Sequence, residues 1–81
     1  MTAATYYLSI PIYGKADAII VSLTSETVAD AREEAGDEGM VRFYEAGYED
    51  DETVYATLYA LGANGGVAHS ECFPISGPNA E

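Results

Sequence analysis

The sequence predicts an α+β domain in which one amphipathic helix covers one face of an antiparallel sheet of four to five strands. Three observations carry this expectation. Two apolar runs near the N-terminus have strand periodicity, one acidic segment in the middle has helical spacing, and a glycine-rich turn near the C-terminus separates two further strand-like runs. At 81 residues the chain is expected to form a single domain spanning 1–81. A chain this short buries only ~60–65% of its unfolded surface, so the core is thin.

Residues 4–13 read Ala-Thr-Tyr-Tyr-Leu-Ser-Ile-Pro-Ile-Tyr. Tyr6, Leu8, Ile10 and Ile12 fall on one face and Tyr7, Ser9, Pro11 and Tyr13 on the other, the period of a strand. Pro11 has no amide hydrogen for the ladder, so the strand is expected to lie at an edge there, or to bulge. Gly14-Lys15-Ala16-Asp17 makes a turn, and the β-branched run from Ala18 to Leu23 returns as the second strand of a hairpin. Thr24-Ser25 offers an N-cap for a helix from Glu26 to Ala35. Steps of about 100° per residue put Val28, Ala31 and Ala35 on one side. Glu26, Asp30, Glu33, Glu34 and Asp37 fall on the opposite side. Gly36 and Gly39 are placed to end the helix.

Met40 to Ala46 is expected to form a third strand, followed by an acidic loop from Gly47 to Asp51. Thr53 to Leu61 fits two templates. Its Thr, Val and Tyr residues favour strand, while Val54, Leu58 and Leu61 also fit a helical stripe. The hairpin signal Ala63-Asn64-Gly65-Gly66 and the alternating run from Val67 to Phe73 decide for strand. The predicted order is β-β-α-β-β-β, and the tail from Pro74, above all 75–81, is expected to fray.

Hydrophobic residues make up 48% of the chain, too many for a disordered one. No apolar run reaches the ~20 residues of a membrane span. The first positive charge is Lys15, so the N-terminus does not read as a secretory signal. The one cysteine, Cys72, cannot form an intrachain disulfide, which favours a reducing, cytoplasmic setting. Within its strand-like run Cys72 is expected to be a buried, inert thiol.

Charge is the outlier. Fourteen acidic residues stand against three basic ones, a formal net charge of −11. Direct binding to nucleic acid through phosphates needs Lys and Arg, and an anionic membrane surface would repel the chain. A positively charged partner would be attracted. Eleven of the fourteen acids lie between Glu26 and Glu52, interrupted only by Arg32 and Arg42. They are Glu26, Asp30, Glu33, Glu34, Asp37, Glu38, Glu45, Glu49, Asp50, Asp51 and Glu52, with Tyr48 beside the last group. If Glu26 to Asp37 are helical, they span ~16 Å and carry one charge per ~3–4 Å on one face, close to the ~3.4 Å phosphate spacing of a DNA strand. Like charges one turn apart cost a few tenths of a kcal/mol per pair, so the pattern works against the isolated helix and suggests a binding role. Solubility alone is the plainer explanation.

The groups that carry catalysis are sparse. His69 is the only histidine and is expected to be structural. A spacing of three puts His69 and Cys72 on opposite faces of a strand, out of hydrogen-bond reach. One His and one Cys cannot complete a zinc site. Glu49-Asp50-Asp51-Glu52 could supply oxygens to calcium but lacks EF-hand spacing. The Gly62–Gly66 run has neither the Lys nor the following helix of a phosphate loop. No enzyme activity, metal or cofactor is expected.

The segments TYYLSIPIYG, AIIVSL and TSETVADAREEAGDEG, followed by further short strands, resemble small acidic phage-encoded anti-CRISPR proteins. The likeness covers residues 4–46 in pattern and the whole chain in composition. It implies a non-enzymatic inhibitor in the cytoplasm of a bacterial host cell. Such a DNA mimic would occupy the basic groove of a CRISPR surveillance complex, of type I in preference to Cas9. That group shares no binding signature, so the partner-binding residues expected are those of the charge map: Glu26, Asp30, Glu33, Glu34, Asp37, Glu38, Tyr48, Glu49, Asp50, Asp51 and Glu52. The alternative is a structural or assembly module. It would form a homodimer or another protein contact through Tyr6, Tyr7, Tyr13, Tyr55 and Tyr59 on the sheet.

Overall fold

A computed structural model of the chain describes residues 4–80. Its elements are β1 (Thr5–Pro11), β2 (Ala18–Ser22), α1 (Val28–Glu45), β3 (Thr53–Leu61) and β4 (Val67–Ser76). The four strands form one antiparallel sheet in the order β2-β1-β3-β4, and α1 lies across one face of it. The fold is α+β, with one helix on a four-stranded antiparallel sheet.

The strands follow from their periodicity. Tyr6, Leu8 and Ile10 of β1 and Val54, Ala56, Leu58 and Ala60 of β3 alternate into the core beneath the helix. Val21 and Leu23 extend that core toward one edge and Ile75 toward the other. Thr53–Leu61 is a strand, and it pairs in register with β4 from Thr53↔Ser76 to Ala60↔His69. The β3–β4 turn closes through Gly62 N–H to Gly66 O at 2.8 Å, with Gly65 at φ 84° and the Asn64 carboxamide accepting Gly66 N–H at 3.0 Å. β1 is a central strand. The last β1–β3 pair is Ser9↔Thr57, so Pro11 has a partner, Ala18, on one side only. No ladder hydrogen bond is lost to its missing N–H.

The helix differs from the expected one at both ends. It begins at Val28 with Thr27 as N-cap, whose hydroxyl accepts the Asp30 N–H at 3.2 Å. Thr24 and Ser25 cap nothing. Their backbone N–H groups and hydroxyls all donate to the carboxylate of Glu34, at 2.7–3.1 Å.

At the other end, Gly36 and Gly39 do not stop the helix, and Met40–Ala46 is not a strand. These residues are the last turns of α1 and its C-cap, Ala46. The buried stripe Ala31, Ala35, Gly39, Phe43 recurs every four residues, a helical period that runs through both glycines. Gly39 serves close packing. A Cβ there would lie 2.7 Å from Ile75 Cδ1 and 3.4 Å from Leu8 Cδ2.

The stop is Gly47, at φ 99°. Gly47 N–H donates to Tyr44 O at 3.1 Å and Tyr48 N–H to Phe43 O at 3.2 Å. This is the Schellman arrangement, and its usual apolar contact is made by Tyr48 stacking on Phe43 with ring centroids 5.2 Å apart.

The tail from Pro74 is docked as far as residue 80. Pro74 and Ile75 belong to β4, and Ile75 is buried. Gly77 N–H donates to Glu52 O at 2.9 Å and Asn79 N–H to Asp50 O at 2.8 Å. Gly77 packs so closely on the Asp50 backbone that a Cβ would overlap it. Cys72 is exposed on the uncovered sheet face. Its neighbours in the alternation, Glu71 and Phe73, are the residues that turn toward the helix side. Among the described residues, no helix is long and apolar enough to cross a membrane.

Candidate functional site

The outward side of α1 has two halves. Asp30, Glu33 and Asp37 form an exposed stripe along the first half, spaced by three and four residues so that they stack along ~10 Å of axis. The stripe then turns apolar. Val41 is 55% exposed and Tyr44 46%, four and seven residues after Asp37. Beyond the helix end comes the acidic loop, with Glu49, Asp50 and Asp51 exposed. The acids are thus two clusters on either side of an apolar and aromatic strip. The acids between Glu26 and Glu52 do not form one unbroken row, because Met40–Tyr44 continue the helix and occupy the middle of that face.

Tyr44 ties the strip to the loop. Its hydroxyl donates to Asp50 Oδ1 at 2.6 Å, and that bond holds the phenol above its ordinary pKa. Tyr48 is half-buried. Its ring stacks on Phe43 and meets the edge of Tyr13, and its hydroxyl donates to Pro11 O at 3.0 Å. It is an anchor under the loop, with part of its surface available. Tyr44, Tyr48, Glu49, Asp50, Asp51 and Asn79 line an open hollow of about 560 Å³. The docked tail supplies Asn79 to this hollow. Glu52 is half-buried, and its carboxylate accepts the Glu49 N–H at 2.9 Å. Glu49, Asp51 and Glu52 can each bring a carboxylate oxygen within 4.8 Å of the others.

Three of the expected binding residues are placed differently. Glu26 is exposed but precedes the N-cap, outside the helical stripe. Glu34 is turned to the flank and holds the Thr24-Ser25 segment, and the Ser25 hydroxyl and Thr24 N–H keep its pKa below the usual carboxylate range. Its oxygens are occupied by these neutral donors, and its negative charge is retained on the flank. Glu38 is half-buried on the same flank, one turn from Arg42. Asp30, Glu33, Asp37, Glu49, Asp50 and Asp51 remain as the exposed carboxylates of the surface.

Neither arginine neutralises that stripe. Arg42 pairs with Glu45 at 2.7 Å. Arg32 makes a two-pronged contact with Glu71 of β4 at 3.0 and 2.9 Å, and His69 Nε2 lies 2.6 Å from the same carboxylate. Arg32 and then His69 hold the Glu71 carboxyl below its ordinary range. The Arg32–Glu71 pair fastens the edge strand to the helix, and His69 holds the same carboxylate from within β4.

Sequence reasoning missed Val41, Tyr44 and Asn79. The first two were hidden by the strand assignment. The signal that could have recovered them is Gly47-Tyr48 following Phe43, the spacing of a helix stop.

The opposite side of the molecule is of another kind. The uncovered sheet face carries Thr5, Tyr7, Ser9 and Pro11 from β1, Ala18, Ile20 and Ser22 from β2, Thr53 to Leu61 at odd positions from β3, and Ser70, Cys72, Pro74 and Ser76 from β4. None of these residues is charged, although charged residues make up 21% of the chain. Of the five tyrosines expected on the sheet, Tyr7, Tyr55 and Tyr59 share this face. Tyr6 is buried in the core, and Tyr13 lies in the turn after β1. Comparison of the chain with protein-family models, curated proteins and solved structures gives no match.

Proposed function

We propose that the protein is a non-enzymatic inhibitor that presents its helix and acidic loop to a basic nucleic-acid-binding protein and blocks the groove that would hold nucleic acid. The observation that carries this reading is the arrangement on α1: exposed Val41 and Tyr44 flanked by two clusters of carboxylates that no lysine or arginine pairs. Protein interfaces have this anatomy, an apolar and aromatic centre with a polar rim. The acids would steer the approach and select a cationic partner, and desolvation of Val41 and Tyr44 would supply much of the affinity.

The hollow beside Tyr44 and Tyr48 suits a lysine or arginine side chain. Its aromatic walls and the carboxylates of Glu49, Asp50 and Asp51 offer cation–π and charge-assisted contacts together. Binding is competitive, with no turnover. The target suggested by the resemblance is a CRISPR surveillance complex in the cytoplasm of a bacterial host cell.

The test is displacement of labelled duplex DNA from a purified type I surveillance complex. Added protein is expected to release the DNA, with an apparent affinity that falls at least tenfold as salt rises from about 0.05 to 0.3 M, because rim charges are screened over ~6–13 Å. No displacement at low salt would contradict the proposal for that target. Displacement insensitive to salt would contradict charge mimicry.

A further inference from the structure

We infer that the uncharged sheet face is the contact through which two copies of this chain form a two-fold dimer. A sheet face open to water ordinarily carries charged residues, which keep it solvated and discourage association. Here a chain of net charge −11 has all of them elsewhere. What remains includes Ile20, 53% exposed, and Tyr55, 68% exposed. Tyr7 and Tyr59 stack beside them with centroids 5.4 Å apart.

Charge selects a second copy as the occupant. Two molecules this acidic repel in any arrangement that brings helix or loop surfaces together. Face-to-face sheets pack ~10 Å apart and leave the two helix layers on the outer sides, separated by roughly 30 Å, several times the ~8 Å screening length. A basic partner gains nothing from this face, which offers it no carboxylate.

Relief and area agree with that occupant. In the register, Ser22, Tyr7, Tyr59 and Ser70 form one row across the sheet, and Ile20, Ser9, Thr57 and Cys72 form the next. The centre of the first row is an aromatic ridge, and the centre of the second, Ser9 and Thr57, is a trough. A two-fold axis in the interface plane, perpendicular to the strands and midway between the rows, sets each ridge into the other copy's trough. Isologous contacts need this self-complementarity, and the strands stay aligned as in packed sheets. Four strands at ~4.8 Å spacing and about seven residues of length make a flat footprint of roughly 450 Å² per copy. With side-chain relief, two copies bury about 1,000 Å², the size at which specific interfaces begin.

The experiment is sedimentation velocity on the full chain at concentrations up to about 100 µM, in low and high salt. The expected mass is twice the 8.6 kDa of one chain. The dimer fraction should rise with salt, opposite in sign to binding of a basic partner, because screening relieves the repulsion between copies. Thr57→Glu, which places like charges in the trough, should weaken dimerisation more than about tenfold. Ser70→Glu on the edge strand makes the same test if circular dichroism shows Thr57→Glu unfolded. Glu33→Lys on the helix should leave the dimer intact. A single-chain mass throughout, or a dimer unaffected by folded Thr57→Glu or Ser70→Glu, would overturn the inference. The helix surface is free in the dimer, so failure here leaves the binding of a basic partner standing, and the reverse.

Discussion

At the scale of residues, two carboxylates that look like surface acids in the sequence are structural. Glu34 gathers the Thr24-Ser25 segment onto the helix flank, and Glu71 joins Arg32 and His69 across the helix–strand contact. Nothing in the local sequence announces the Glu34 contacts or the Arg32–Glu71 pair, because the partners lie 9–10 positions away for Glu34 and 39 for Arg32–Glu71. Such pairing is legible only after folding. It has a consequence in acid. Glu71 is held below its ordinary pKa by Arg32 and His69, so the contact stabilises the fold fully above the unfolded value of about 4.3 and fades as pH falls through the lower folded value. Denaturant midpoints measured from pH 6 to 2 should therefore fall less steeply for Glu71→Gln than for the unaltered chain. Parallel curves would remove the role assigned to this carboxylate.

At the scale of elements, the strands were readable because period-two alternation reports a half-buried sheet directly: Tyr6, Leu8 and Ile10 are buried as their spacing requires. The helix was readable at its core stripe and unreadable at its end. Gly36 and Gly39 carry the usual mark of a stop, and Val41, Phe43 and Tyr44 favour strand on propensity. Tertiary packing prevails over both, since Gly39 lets the helix approach Ile75 and Leu8, and Phe43 fills the core.

Two substitutions separate the boundaries. A Cβ on Gly36 meets nothing within 4 Å, so Gly36→Ala should stabilise the chain by up to about 1 kcal/mol through helix propensity. Gly47, at φ 99°, should resist the same change, with Gly47→Ala costing about 1–2 kcal/mol. Thermal or denaturant melts check both, and a loss at Gly36 would place the helix end where the sequence first suggested it.

The tail was expected to fray because Pro74, Gly77 and Pro78 look like terminal punctuation, whereas Gly77 is the residue that permits close contact with the Asp50 backbone. Gly77→Ala should cost about 1–3 kcal/mol and speed amide exchange at Asn79, whose N–H is held by Asp50. Unchanged exchange would mean that the tail does not brace the acidic loop.

At the scale of the whole molecule, charge is segregated by layer. The helix, the acidic loop and the flanks carry the carboxylates, while the open sheet face carries none. The sequence revealed the clustering between Glu26 and Glu52 but not the face opposite, because sheet sidedness depends on pairing register. The exposed apolar centre between the acid clusters was likewise out of reach, since it arises where the helix overruns the expected strand. On the proposed partner binding and dimerisation, each surface has its own sign of salt dependence, and each can be altered without touching the other.

The most direct measurement compares three proteins in the DNA-displacement assay at low salt: the unaltered chain, the triple variant Asp30→Lys, Glu33→Lys, Asp37→Lys, and Thr57→Glu. All three side chains of the triple variant are exposed, so it should keep the helical circular dichroism of the unaltered chain. It should lose displacement by at least about 100-fold, as opposed charges across an interface become like charges, while Thr57→Glu displaces DNA as before. A folded triple variant that still releases DNA at the unaltered concentration would contradict the assignment of the helix stripe as the binding surface.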